Sequence, residues 1–168
     1  MGDSQNPFGA RGYDLRGRPP DVVEIVPSLL LGEYPRVEDL AWLQQRFGVS
    51  AVLSLQDDDD LANKGLSLAS LVGESRRLGL DFRRRPVADG DAKAMDDALL
   101  PLVEEVHSLL EAGHRVFVHC NAGYNRAPTV AIAYLCRYRG TRLQEAAALV
   151  KQRRACVPFT TILTKRFP

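Results

Sequence analysis

Residues 116–130, Val-Phe-Val-His-Cys-Asn-Ala-Gly-Tyr-Asn-Arg-Ala-Pro-Thr-Val, restrict the possible folds of this chain more than any other stretch. The opening Val-Phe-Val-His makes a short buried strand. Gly123 permits a tight turn, and Pro128 belongs in a helix's first turn, where its missing N–H is harmless. A strand therefore delivers Cys120 into a short loop, and a helix starts at Arg126. That unit belongs in an α/β domain.

The rest of the chain agrees. Residues 22–26 and 28–31 read as two short strands around Pro27, followed by a helix over 37–47 that Gly48 stops. A strand over 50–55 runs into an acidic loop at 57–60. A helix over 67–78 precedes a strand over 81–87. Residues 97–112 form an amphipathic helix, with Leu99, Val103, Val106 and Leu110 on one face and Pro101 in its first turn. After the strand at 115–119, helices follow over 126–138 and 142–153, the second opened by a capping box between Thr141 and Gln144. The expected fold is a single α/β domain over 21–168, its central sheet mostly parallel and flanked by helices. Residues 1–20, rich in glycine and proline, read as a flexible leader. A length of 168 residues leaves little room for a second domain.

The loop after Cys120 carries the chemistry. Its successive N–H groups can converge into an anion-binding nest, and the N-terminus of the next helix adds donors and a positive dipole end. The same field favours a thiolate at Cys120. Arg126 closes the loop with a planar fork that can hold two oxygens of a phosphate. Phosphate-binding groups are therefore expected from Asn121, Ala122, Gly123, Tyr124, Asn125 and Arg126. Cys136 and Cys156 read as packing residues, with Cys156 a possible redox partner.

His-Cys, five residues, then Arg resembles the loop of the protein tyrosine and dual-specificity phosphatases, and the strand–loop–helix order supplies its context. The resemblance implies a phosphotyrosine-phosphatase-like fold and a cysteinyl-phosphate intermediate. Cys120 would be the nucleophile and His119 a supporting residue beneath the loop. It also implies a general acid about thirty residues upstream, needed to protonate the leaving group. Asp89 lies 31 residues before Cys120 and is favoured on spacing; Asp91 is the rival. No cofactor is implied.

The resemblance covers residues 22–166, and within the family the chain is similar to the glucan phosphatases, the group of plant starch phosphatases and laforin. The similarity rests on residues 53–60, on Asn121-Ala-Gly123, on Arg126-Ala-Pro128 and on residues 151–158. It implies phosphorylated polysaccharide as a possible substrate, with phosphoprotein the alternative. The departures are Asn125 in place of glycine and Gly90 where the plant enzymes carry an aromatic platform. Ala127 replaces the hydroxyl residue of the wider family, which implies slower hydrolysis of the intermediate. Tyr124 is the aromatic residue best placed to contact substrate, while Trp42 reads as core. A phosphate-binding module without turnover is the non-enzymatic alternative, and a sulfur-transferring cysteine loop a third class.

Composition excludes other classes. With 22 basic and 21 acidic residues there is no global footprint for nucleic acid, although the run 83–85 of three arginines could attract an anion. Three cysteines make no disulfide framework, no stretch is long and apolar enough to span a membrane, and the N-terminus is no secretory signal. No His, Cys and carboxylate set has metal-ligand spacing, and His107 and His114 read as surface residues. A cytoplasmic monomer acting on a phosphorylated substrate is the expectation.

Overall fold

The computed structural model describes residues 16–168. Its elements are β1 (Val22–Val26), β2 (Leu29–Gly32), α1 (Val37–Phe47), β3 (Ala51–Ser54), α2 (Asp58–Asn63), α3 (Leu68–Leu78), β4 (Asp81–Arg84), α4 (Ala92–Glu111), β5 (Val116–His119), α5 (Arg126–Tyr138), α6 (Leu143–Arg153) and α7 (Thr160–Arg166). One sheet runs in the order β1-β2-β5-β3-β4. β2, β5, β3 and β4 are parallel, and β1 joins as an antiparallel edge strand.

Both faces of the sheet are covered, and the period-two alternation of the strands shows how. Leu29, Leu31, Ala51, Leu53, Val116 and Val118 face one way, onto α4, α5, α6 and α7. Leu30, Val52 and Phe117 face the other way, onto α1, α2 and α3. Each fully buried Leu, Val or Phe contributes roughly 1.5–3 kcal/mol of burial free energy, so the three-layer arrangement follows from the sequence pattern. α5 lies deepest: every residue from Arg126 to Leu135 is buried.

Several expectations need correction, the simplest being the strand expected over 81–87, which ends at Arg84. Residues 57–60 do not form a loop. Asp58–Asn63 is a helix, because the Asp57 carboxylate accepts from the Asp60 N–H at 2.8 Å while Asp60 accepts from the Asp57 N–H at 3.0 Å. The long amphipathic helix starts at Ala92, not residue 97, because Asp91 caps it by accepting from the Ala94 N–H at 2.9 Å. Pro101 thus sits inside α4, on its exposed side, where water can satisfy the carbonyl that loses its partner. Thr141 forms no capping box, since α6 begins at Leu143 with Arg142 at its N-cap and no side-chain cap. Finally, α7 was not anticipated from periodicity; its seven residues bury Ile162 and Leu163.

Of the expected leader, residues 1–15 lie outside the described residues. Arg16 makes an ion pair with Glu33 at 2.7 Å and packs its guanidinium on the Tyr34 ring.

Candidate active site

Ligands of open α/β sheets bind beyond the carboxyl ends of the strands. Here β5 is central, and His119 stands level with Gly32 of β2 and Ser54 of β3. The segments leaving β2, β3 and β4 therefore gather around Cys120, bringing Tyr34, Gln56, Asp60, Val87 and Asp89 to one end of the sheet.

The loop from Cys120 to Asn125 is held by its carbonyls. The Cys120 carbonyl accepts from His119 Nδ1–H (2.9 Å), that of Asn121 from the Tyr34 N–H (2.9 Å), and that of Tyr124 from the Val157 N–H (2.8 Å). Arg154 donates Nη2–H to Ala122 (2.6 Å) and Nε–H to Gly123 (2.7 Å), and Asn125 accepts from Thr129 Oγ1–H (2.8 Å). All six carbonyls of residues 120–125 are thus engaged from outside the loop. The N–H groups are not used in these contacts and remain available to an anion.

Gly123 makes that tight circle possible. It has a φ of 64°, and a Cβ there would lie 2.5 Å from the Gly32 carbonyl oxygen. Gly123→Ala is therefore expected to destabilise the protein by about 1–3 kcal/mol through left-handed strain and displacement of β2. Urea denaturation checks this, and the variant should also lose oxyanion affinity.

Arg126 is 1% exposed and fixed on one side only. Its Nη1 donates to Asp60 Oδ2 at 2.6 Å and to the Val87 carbonyl at 2.7 Å. Its Nη2 lies 3.5 Å from both Asp60 Oδ1 and Asp89 Oδ1, and among the described residues its buried Nε has no partner. The Nε–Nη2 edge is the geometry that receives two oxygens of a phosphate. Asp60 is held in turn: Asn121 Nδ2–H donates to its Oδ1 at 2.7 Å, and Gln56 Nε2–H donates to Asn121 Oδ1 at 2.8 Å. Burial would raise the Asp60 carboxyl, but Arg126 and the Asp57 N–H outweigh it and keep it below its ordinary value. Burial opposes the charge of Arg126 too, yet Asp60 raises it above its usual range.

His119 is buried, and desolvation lowers its pKa to about 4 against the partial support of the Cys120 carbonyl. The imidazole is therefore neutral at pH 7, with Nδ1 carrying the proton it gives that carbonyl. Between pH 6.5 and about 4 the unfolded chain binds a proton there that the folded chain refuses. Stability should therefore fall with decreasing pH across that window, by about 3 kcal/mol in all. Urea titrations of the wild type and of His119→Asn over this range check it: the variant should lack this component.

The other expected residues fall as follows. Asp91 is occupied as the α4 cap, whereas the Asp89 side chain is 62% exposed at the mouth beside Arg126. Tyr124 is half exposed on the rim, and the Asn125 side chain donates to the Val157 carbonyl at 2.7 Å. Trp42 packs edge-on against Phe47, as a core residue would. Arg83, Arg84 and Arg85 form ion pairs with Asp81, Asp58 and Glu105. His107 is not a free surface residue but stacks on Tyr138 at 3.8 Å, and His114 Nδ1 lies 2.9 Å from Ser50 Oγ. Sequence reasoning missed Asp60, Gln56 and the parts played by the Tyr34 N–H and by Arg154. The signal for Asp60 was present in the Asp-x-x-Asp spacing of a helix start.

With this geometry in place, the comparisons decide the family. Residues 29–163 match the family model "Dual specificity phosphatase, catalytic domain". The chain belongs to the dual specificity phosphatase family. Dual specificity protein phosphatase 2 of Mus musculus is 32% identical over 135 residues, 80% of this chain and 38% of that relative. Dual specificity protein phosphatase 5 of Rattus norvegicus is 34% identical over 103 residues, covering 58% and 26%. The chain thus spans about two fifths or less of the length of these curated relatives, and it shares with them the catalytic domain of a phosphatase enzyme. The crystal structure of human DUSP28 superposes with a TM-score of 0.70 at 27% identity, over 89% of this chain and 95% of that one. Tk-PTP in its active form gives 0.73 at 23% identity, over 86% and 94%, a likeness of fold. Among the described residues, no helix is long and apolar enough to cross a membrane.

Proposed function

We propose that this domain hydrolyses phosphate monoesters on proteins through a cysteinyl-phosphate intermediate. The observation that carries the reading is the clamp on Arg126, which fixes Nη1 firmly, holds Nη2 only at 3.5 Å and leaves the buried Nε without a partner among the described residues. In the first step the Cys120 sulfur attacks phosphorus and the P–O ester bond breaks. Arg126 and the loop N–H groups hold the equatorial oxygens, and Asp89 gives its proton to the leaving oxygen. In the second step the Asp89 carboxylate takes a proton from water as it attacks phosphorus. The S–P bond then breaks, releasing inorganic phosphate and the thiolate.

Phosphoprotein is favoured over phosphoglucan for a physical reason. Residues 53–60 supply the Asp60 clamp, and residues 151–158 supply Arg154 and Val157, which hold the loop. These resemblances are thus accounted for by support of the loop and carry no information about polysaccharide. The mouth also has Gly90, not an aromatic platform, beside Asp89. The relatives at 32% and 34% identity are named as protein phosphatases.

The test compares phosphate release from phosphotyrosine and phosphothreonine peptides, phosphorylated amylopectin and a small aryl phosphate. Higher kcat/KM on peptides is expected. Faster release from amylopectin rejects the phosphoprotein reading, and no release from any substrate rejects the enzymatic one.

A further inference from the structure

A second concavity, lined by none of residues 120–125, takes no part in the chemistry above. It is a groove of about 710 Å³ between α6 and α7, within the size range of binding sites. Leu143, Ala147, Pro158, Leu163 and Phe167 give it an apolar floor, and Arg142 and Lys151 stand on its wall. Both cations are exposed and lack an ion pair among the described residues, in contrast to Lys165 and Arg166 on α7, which are both paired with Asp96. The single acid on the wall is Glu145.

The surrounding charge has the same sign. Residues 137–154 hold six basic side chains and one acidic, in a chain whose net charge is only +1. The groove is also tied to the active site. Pro158 lines it, and the preceding residue, Val157, donates its N–H to the Tyr124 carbonyl of the phosphate loop. Tyr124 and Val157, 50% and 55% exposed, are the large hydrophobic residues most open to solvent among those described. They form an apolar step between the phosphate loop and the groove.

We propose that this groove docks an acidic, leucine-bearing segment of the same protein whose phosphate enters the loop at Cys120. The proposal rests on the phosphoprotein reading. Apolar side chains of the segment would fill the floor, and its carboxylates would face Arg142 and Lys151. Charge complementarity of this kind sets partner choice and encounter rate. An amphipathic segment in an apolar groove is a recurrent mode of peptide recognition.

The experiment measures fluorescence anisotropy of a labelled, unphosphorylated peptide that alternates glutamate and leucine, with the full chain. Controls replace glutamate by glutamine or leucine by serine, and a further arm uses phosphatidylserine vesicles. Lys151→Glu and Thr164→Glu should each weaken binding about tenfold, equivalent to roughly 1.4 kcal/mol, and both control peptides should bind more weakly. Both variants should hydrolyse a small aryl phosphate at the wild-type rate, which shows that they are folded. On a phosphotyrosine peptide carrying the glutamate–leucine tail, they should raise KM and leave kcat unchanged. Equal binding by wild type and variants, binding indifferent to leucine, or binding to vesicles alone overturns the proposal. Because anisotropy needs no turnover, peptide binding without hydrolysis sinks the phosphatase reading and supports the groove.

Discussion

Cys120→Ser should reduce phosphate release by about five orders of magnitude or more, the scale on which covalent catalysis fails without its nucleophile. The same variant should bind inorganic phosphate or tungstate with affinity within a few-fold of wild type. The two expectations separate because Cys120 contributes to the loop through its backbone. Its carbonyl is fixed by His119, and the other five carbonyls are fixed by Tyr34, Arg154, Val157 and Thr129. None of these contacts involves the sulfur. Ser and Cys are also close in size, so the buried site, 2% exposed, need not rearrange. Phosphate release by a colorimetric assay and anion binding by calorimetry check the pair of outcomes. Loss of both together would show that the variant has disturbed the loop. Retained turnover would remove Cys120 from the mechanism and favour a module that merely binds phosphate.

The parts of this site that were legible in the sequence are those with a local signature. The strand, cysteine, glycine and arginine between Val116 and Arg126 lie in one stretch, and their geometry follows from strand propensity, a glycine turn and a helix start. Asp89 was favoured over Asp91 by its distance from Cys120, a spacing that the family resemblance implies. The sheet was legible too, since Leu29 to Leu31, Ala51 to Leu53 and Val116 to Val118 are apolar without interruption, as strands buried on both faces must be. What could not be read are contacts made by topology. Asp60 is 66 residues from Arg126 in sequence, and they meet because β3 and β5 are adjacent and parallel. Arg154 reaches Gly123 because α6 returns antiparallel to α5 and ends beside the loop. The errors at 57–60 and 92–97 share one cause: a carboxylate that caps a helix was read as a polar loop residue. Asp57 and Asp91 look solvated in sequence, but each accepts an N–H from the first turn of a helix.

That distinction puts the two candidate acids in different surroundings, and kinetics can test which of them acts. Asp89→Asn should cost about 10²–10⁴-fold on a phosphothreonine peptide, the usual contribution of a positioned general acid. On an aryl phosphate with an electron-poor leaving group the loss should be far smaller, because that oxygen leaves without needing a proton. Asp91→Asn should change neither rate by more than a few-fold. Asparagine is nearly as good an N-cap as aspartate, and its side-chain oxygen can still accept from the Ala94 N–H. The geometry favours this outcome: Asp89 Oδ1 is 3.5 Å from Arg126 Nη2, the edge proposed to hold phosphate, while Asp91 is turned into the start of α4. Rates measured for both variants across leaving groups of graded pKa settle the matter. A steeper dependence on leaving-group pKa is expected for Asp89→Asn alone. If Asp91→Asn steepens it instead, the α4 cap must open for catalysis and the acid role passes to Asp91.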